Sequence, residues 1–427
     1  MISIKRTGTL AKAATVLSVS ALALTGCGGA DDANADGNVE LRFAWWGSDT
    51  RHQQTQEIID AFEEQNPGVT IVGEYGDFGG YWDKLATQTA SSDAPDIIQM
   101  DEKYLREYAD NGALLDLSDV DVAELDEGVV DSGRTEEGLF GVATGVNVMA
   151  MMANPTIYEE AGVELPDDST WTWDDFSEVS QQIAENTDVH GTSGPNEPAG
   201  FQIWLRQQGK ELTTPEGQLG FEASDAAGYL GMWHQMMEDG ALPPASVVTE
   251  DQEPGPDQSL TGTNGAAMGM WWTNQLSALN AASGNQLVPL RFPSTDGTEG
   301  GAQLFQKSAM FMSASARTEH PEEVKAFIDF MVNSEEAGKI NLADRGLPAN
   351  ETVREAVLPE LSEADTAAAE FVEEIQPELG EALPVPPLGF STLQEIIYRY
   401  ELDVLFERST PEEAAERMMS EMESAIS

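Results

Sequence analysis

Hydrophobic and polar positions alternate along Val39-Glu40-Leu41-Arg42-Phe43-Ala44-Trp45, the period of a half-buried strand. Gly47-Ser48-Asp49-Thr50 then offers a loop and a helix cap, and Gln54 to Glu64 carries Ile58, Ile59 and Phe62 at helical spacing. Asn66-Pro67-Gly68 stops that helix. Val69-Thr70-Ile71-Val72 predicts a second strand, Tyr81 to Ala90 a second helix, and Pro95-Asp96-Ile97-Ile98-Gln99-Met100 a third strand. Strand, helix, strand, helix, strand is the order of an α/β fold with a mostly parallel sheet. Ligands of such sheets sit beyond the carboxyl ends of the strands, here the loops after Trp45 and after Met100. Further helices are expected at Trp173 to Ala184, Ser224 to Glu238, Pro321 to Asn333 and Ser391 to Phe406, which makes the C-terminal part helix-rich. No repeat of about 20 to 50 residues is visible, which argues against solenoids and propellers.

The pattern before Val39 is of another kind. Lys5, Arg6 and Lys12 form a basic leader, an apolar run from Ala13 to Leu24 follows, and Leu24-Thr25-Gly26-Cys27-Gly28 closes it. The run is shorter than the roughly 20 apolar residues a bilayer span needs, and it ends in small residues that a signal peptidase accepts. Residues 1–26 therefore read as an export signal. Cys27 is the single cysteine of the 427-residue chain and stands at the cleavage position, which resembles a bacterial lipobox. That resemblance implies acylation at Cys27, cleavage before it and anchoring to the outer face of the cytoplasmic membrane; stable anchoring takes more than one acyl chain. Residues 27–38 have no apolar periodicity and read as a lipidated tether, with folding starting at Val39. One cysteine permits no disulfide within the chain.

Size and charge narrow the picture. The exported part is too long for one ordinary hydrophobic core and suits two domains. With 21 basic and 76 acidic residues the net charge is −55, a field that repels phosphate backbones and excludes nucleic acid as a partner. Acidic residues are spread along the chain as solvated faces, for example Asp119 to Asp126 and Glu412 to Glu423, which reads as solubility and leaves open an adaptation to an ion-rich exterior, where salt screens the self-repulsion.

Several segments, in order and spacing, resemble the extracellular solute-binding lipoproteins of carbohydrate ABC transporters, whose fold is maltose-binding-protein-like. They are Leu41-Arg42-Phe43-Ala44-Trp45-Trp46-Gly47, Ala61-Phe62-Glu63-Glu64-Gln65-Asn66-Pro67-Gly68-Val69, Tyr81-Trp82-Asp83-Lys84-Leu85, Ala94-Pro95-Asp96-Ile97, Gly145-Val146-Asn147, Gly265-Ala266-Ala267-Met268 and Phe327-Ile328-Asp329-Phe330. The resemblance implies a two-lobe periplasmic-binding-protein-like α/β fold with a hinge and a central ligand cleft. It places residues 39–148 plus 307–344 in the N-terminal lobe and residues 149–306 plus 345–427 in a helix-rich C-terminal lobe. It also implies a monomer that hands its ligand to the permease subunits of an ABC importer.

A sugar offers a face of C–H groups and a rim of hydroxyls, so its site needs flat rings and fixed polar groups. Adjacent aromatic pairs occur at Trp45-Trp46, Tyr81-Trp82 and Trp271-Trp272, and strand alternation turns one ring of a pair inward and the other outward. Trp46 and Trp272 are the favoured platforms, with Trp82 beside them; the competing reading of each is a buried core ring. Asp101 and Asn147 are the favoured rim groups. Asp49, Asn274, Gln303 and Arg345 rank after them, and Phe390 in Pro387-Leu388-Gly389-Phe390 offers another ring. Each polar residue competes with a capping or hinge role.

Motifs for other chemistry are missing. There is no Gly-x-Ser-x-Gly, no His-Glu-x-x-His and no P-loop, and His52, His190, His234 and His320 stand apart, so neither a cofactor nor a metal is expected. Asp32-Ala33-Asn34-Ala35-Asp36-Gly37 begins like a calcium loop but meets Phe43 where a bidentate Glu is required. Two other functions remain open: a secreted glycoside hydrolase using two of the many carboxylates, and the same fold holding a non-sugar solute.

Overall fold

The computed structural model describes residues 38–426 except 215, 253, 254, 381 and 384. The leader, Cys27 and the tether as far as residue 37 lie outside the described residues. Strand β1 (Val39–Trp46) leads into helix α1 (Asp49–Gln65). That helix begins more than a turn before its apolar spacing does, because the Ser48 hydroxyl accepts from the Arg51 N–H at 3.2 Å and caps it. Its buried face is Thr55, Ile58, Ile59 and Phe62. Strand β2 (Val69–Gly76) comes next, then helix α2 (Phe78–Ala90), capped by Asp77, whose carboxylate accepts from the Gly80 N–H at 2.8 Å. Strand β3 (Ile97–Met100) ends at Asp101, which caps helix α3 (Glu102–Asp110).

β2 and β3 flank β1 in parallel, and the parallel part ends there. Strands β4 (Val142–Ala153), β5 (Met268–Trp272), β6 (Val288–Leu290), β7 (Gln306–Ala314) and β8 (Leu347–Pro348) all pair antiparallel. The sheet runs β8-β4-β7-β3-β1-β2, with β5 and β6 also on β4. It is a mixed sheet rather than a mostly parallel one, because β7 comes back beside β3 in the opposite sense. The C-terminal part is helix-rich as the spacing predicts, with helices at Trp173–Asn186, Ala223–Glu238, Pro321–Asn333 and Phe390–Leu405. Among the described residues no helix is long and apolar enough to cross a membrane.

β4 is the strand on which the rest of the sheet is assembled. All twelve of its residues are buried. Its first part, from Val142 to Val148, pairs with β7; its last part, Met149 to Ala153, pairs with β5 and β6. The register slips at Gly145, and a side chain there would run into the Arg345 carbonyl, so glycine is required where β8 closes on the strand. Just beyond that irregularity Asn147 stands opposite Lys307 of β7.

Candidate functional site

A cleft of about 550 Å³ opens where the ends of β1 and β3, the middle of β4 and β7, and the end of β5 converge. Strand alternation sorts the paired aromatics that line it. Trp45 is fully buried, its ring 4.8 Å from Phe43, whereas Trp46 lines the cleft. In β5, Trp271 is buried and its indole N–H donates to the Thr261 hydroxyl at 3.1 Å, whereas the half-buried Trp272 lines the cleft.

The third pair behaves differently. Tyr81 is buried and donates to the Gln99 carbonyl at 2.6 Å. Trp82 is buried too, 4.1 Å from the Tyr104 ring and 5.4 Å from Trp46, so it backs the Trp46 platform instead of facing the cleft. Phe78, one turn earlier on α2, takes the cleft position, its ring 5.4 Å from Trp46.

Of the polar residues named from the sequence, Asp101, Asn147 and Asn274 line the cleft. Asp101 also caps α3, accepting from the Lys103 N–H at 3.1 Å. Asn147 is 5 % exposed, and its side-chain Oδ1 has no hydrogen-bond partner. Asn274 donates to the Asp344 carbonyl at 3.5 Å. Phe390 lies in a small side pocket that shares Glu197, Trp272, Lys307 and Gln394 with the cleft.

Three others are elsewhere. Asp49 is exposed at the start of α1, and its neighbours Ser48 and Arg51 line the cleft in its place. Gln303 lies in a tight loop with positive φ, its amide donating to the Gly300 carbonyl at 2.9 Å, against Ile375 and Leu379. Arg345 is fully buried, donating to Gln99 Oε1 at 2.9 Å, Asn341 Oδ1 at 3.1 Å and Thr55 Oγ1 at 2.7 Å. Burial, and after it the charge of Arg51, presses its pKa below the ordinary arginine value. Its guanidinium ties α1 to β3 and is a packing group.

The floor of the cleft holds residues that their sequence pattern did not single out. Lys307 of β7 pairs with Glu102 at 3.1 Å, and its ammonium lies 5.0 Å from the centre of the Trp272 ring. Burial presses the ammonium toward neutrality, but Glu102, Asp101 and Glu197 outweigh it and hold its pKa above the usual lysine value. Glu197, just before helix α4 (Ala199–Arg206), is pushed above the carboxylate range by burial, with Lys307, the Ala199 N–H, Trp272 and Lys103 pulling the other way. Burial likewise raises Glu102. Arg51 pairs with Asp344 at the cleft edge, and Gln394 and Tyr398 reach in from helix α5 (Phe390–Leu405). Tyr398 donates to the Asn196 carbonyl at 3.1 Å. A signal for some of these existed: Lys307 is one of only 21 basic residues, and the one charge in an otherwise uncharged strand needs a partner when it is buried. Among the described residues no group of His, Cys, Asp and Glu is arranged to hold a metal.

Rings on two walls, a half-buried charged floor and a rim of amides and hydroxyls can hold a polar solute with an apolar face. A family model described as "Bacterial extracellular solute-binding protein" matches residues 46–338. The chain belongs to that family. The family is one of extracellular binding proteins rather than enzymes. Among relatives, an uncharacterized lipoprotein of Streptomyces antibioticus is 26 % identical over 357 residues, covering 78 % of this chain and 75 % of its own. A putative ABC transporter periplasmic-binding protein of Escherichia coli is 22 % identical over 338 residues, covering 74 % of each. Among solved structures, a periplasmic oligogalacturonide-binding protein of Yersinia enterocolitica, in complex with saturated digalacturonic acid, superposes with a TM-score of 0.79 at 20 % identity over 91 % of this chain and all of that one. The likeness shows the two-lobe solute-binding fold.

Proposed function

We propose that this solute-binding protein is an extracellular receptor for an oligosaccharide, which it holds in the cleft by closure of the two lobes and delivers to the permease subunits of an ABC importer. The observation that carries the proposal is the cleft itself: Trp46, Phe78 and Trp272 offer ring faces, and Asp101, Asn147, Glu197, Asn274, Gln394 and Tyr398 offer fixed acceptors and donors around them. Trp46, Asp101, Asn147, Trp272 and Asn274 are assigned to the ligand, with Phe390 as a ring behind Trp272. Asp49, Gln303, Arg345 and Trp82 are left out of that assignment.

In this reading residues 39–148 plus 307–344 form one lobe and residues 149–306 plus 345–427 the other, and the chain crosses between them through β4 and β7. The half-and-half pairing of β4 supports that boundary. Cys27 carries the lipid anchor, and the protein works as a monomer on the outer face of the cytoplasmic membrane. Hinge closure around a ligand is the motion expected of such a receptor.

The test is a tryptophan-fluorescence and thermal-shift screen of residues 28–427 against mono- and oligosaccharides, with chromatography of each mixture afterwards. A melt raised by an oligosaccharide that is recovered intact is the expected result. Recovery of shortened sugar transfers the cleft to a glycoside hydrolase, and a response to no sugar overturns the ligand class.

A further inference from the structure

The groups lining the cleft are unevenly satisfied, and the imbalance has a sign. Two of its three cations are already neutralised inside the protein: Arg51 by Asp344 and Lys307 by Glu102. The third, Lys103, lies over the Phe78 ring at 4.7 Å and the Tyr104 ring at 5.3 Å. Against these, Asp101 and Glu197 line the same cleft, and among the described residues neither has an ammonium or guanidinium within ion-pair distance. The Lys307 ammonium thus answers to three carboxylates, Glu102, Asp101 and Glu197.

A second observation points the same way and involves no charge. Asn147 is buried to within 5 % of its surface, lines the cleft, and its Oδ1 has no donor. A buried acceptor without a donor is unfavourable by itself and is satisfied by a ligand that donates. Asp101 and Glu197 keep acceptor capacity at the cleft, and Asn147 adds a buried Oδ1 with no donor in the protein, while the one cation without a carboxylate rests on aromatic faces.

We infer that the cleft selects an uncharged, hydroxyl-rich oligosaccharide and excludes sugars that carry carboxylates, unlike the oligogalacturonide binder whose fold it shares. Hydroxyl groups donate to Asp101 and Glu197 and accept from Lys103. A uronate carboxylate brings acceptors only, and brings its charge into a half-buried floor where carboxylates outnumber free cations. The net charge of −55 adds a repulsive approach field of the same sign. This inference rests on the receptor reading and deepens it.

Calorimetric titration of neutral trisaccharides of glucose, xylose, arabinose and galactose, beside di- and trigalacturonate, tests it at low and high salt. Expected is that the best neutral sugar binds at least about tenfold more tightly than the best uronate, a difference of about 1.4 kcal/mol. Asp101→Asn and Glu197→Gln should each narrow that ratio; asparagine still caps α3, so the first variant keeps the fold. A uronate that binds as tightly as the best neutral sugar, or a ratio that both variants leave unchanged, overturns the inference and leaves the receptor standing. Binding of no sugar at all overturns the receptor reading, and the inference with it.

Discussion

Lys307→Met removes the ammonium at the centre of the cleft floor while keeping the length of the side chain. Glu102 then loses its ion-pair partner, and Trp272 loses the cation 5.0 Å from its ring. Breaking a buried pair by deleting one member costs roughly 3–5 kcal/mol, because the remaining charge is left desolvated. Here the two side chains keep 16 % and 13 % exposure, which places the loss near the low end, about 3 kcal/mol. The cation–π contact adds on the order of 0.5–1 kcal/mol.

The loss should depend on pH, and its sign is fixed. Glu102 has a folded-state pKa raised by burial, and Lys307 is the largest opposing influence, so the variant raises it further. A carboxyl raised in the folded state contributes stability that is complete below its unfolded value near about 4.3 and is lost as pH rises through the folded value. The deficit of Lys307→Met relative to the native chain should therefore be small at about pH 4.5 and larger at about pH 8. Urea unfolding at the two pH values, monitored by far-UV circular dichroism, measures it. A deficit that is the same at both, or below about 1 kcal/mol at the higher pH, would refute the placement of Lys307 as the counter-charge of a buried carboxylate.

Arg345→Met should destabilise the fold by about 3 kcal/mol, since Gln99, Asn341 and Thr55 all lose their donor; sugar affinity measured on the folded fraction should stay within about twofold. Trp46→Ala and Trp272→Ala should each weaken oligosaccharide binding by about 2 kcal/mol, or about thirtyfold, for roughly 80 Å² of ring and sugar surface no longer buried. Trp82→Phe, behind the platform, should shift affinity less than either, and calorimetry separates the three. Glu401, 2 % exposed, is pushed up to about 8 by burial and then by the charge of Glu197, with Tyr229 opposing. Stability from its neutral form is therefore complete below about pH 4.3 and lost as pH rises through about 8; melting temperatures of Glu401→Gln should fall less over that interval than those of the native chain, and parallel curves would contradict the assignment.

How much of this was legible in the chain depends on how local each feature is. β1, α1, β2, α2 and β3 were readable because each rests on its own local period, with a cap at Ser48 for α1, whereas alternation says that one ring of each aromatic pair turns inward without saying which. The antiparallel remainder of the sheet was not readable, since β7 finds β3 across more than two hundred residues and no local pattern records the direction of that approach. Arg345 misled for the same reason. A lone arginine near a predicted hinge suits a ligand as well as it suits a core, and only tertiary packing brings Thr55, Gln99 and Asn341 around its guanidinium. Phe78 was displaced from notice by the more conspicuous Tyr81-Trp82, although it is one helical turn nearer the end of β2.

In the proposed receptor the strands that join the lobes also carry the cleft floor, and this constrains how it can evolve. Asn147 and Lys307 face each other across β4 and β7, the pair through which the proposed lobes are joined. Lys307 is held from one side by Glu102 of α3 and lies over Trp272 of β5 on the other. On that proposal a substitution at Lys307 acts at once on ligand contact, on the charge balance of the floor and on the strand pair of the hinge. Specificity can be altered with less disturbance at Asn274, Gln394 or Phe78, which line the cleft from helical segments and not from the hinge strands. Those positions should tolerate exchange with a change in ligand preference and little loss of stability, whereas changes at Lys307 should alter affinity and stability together.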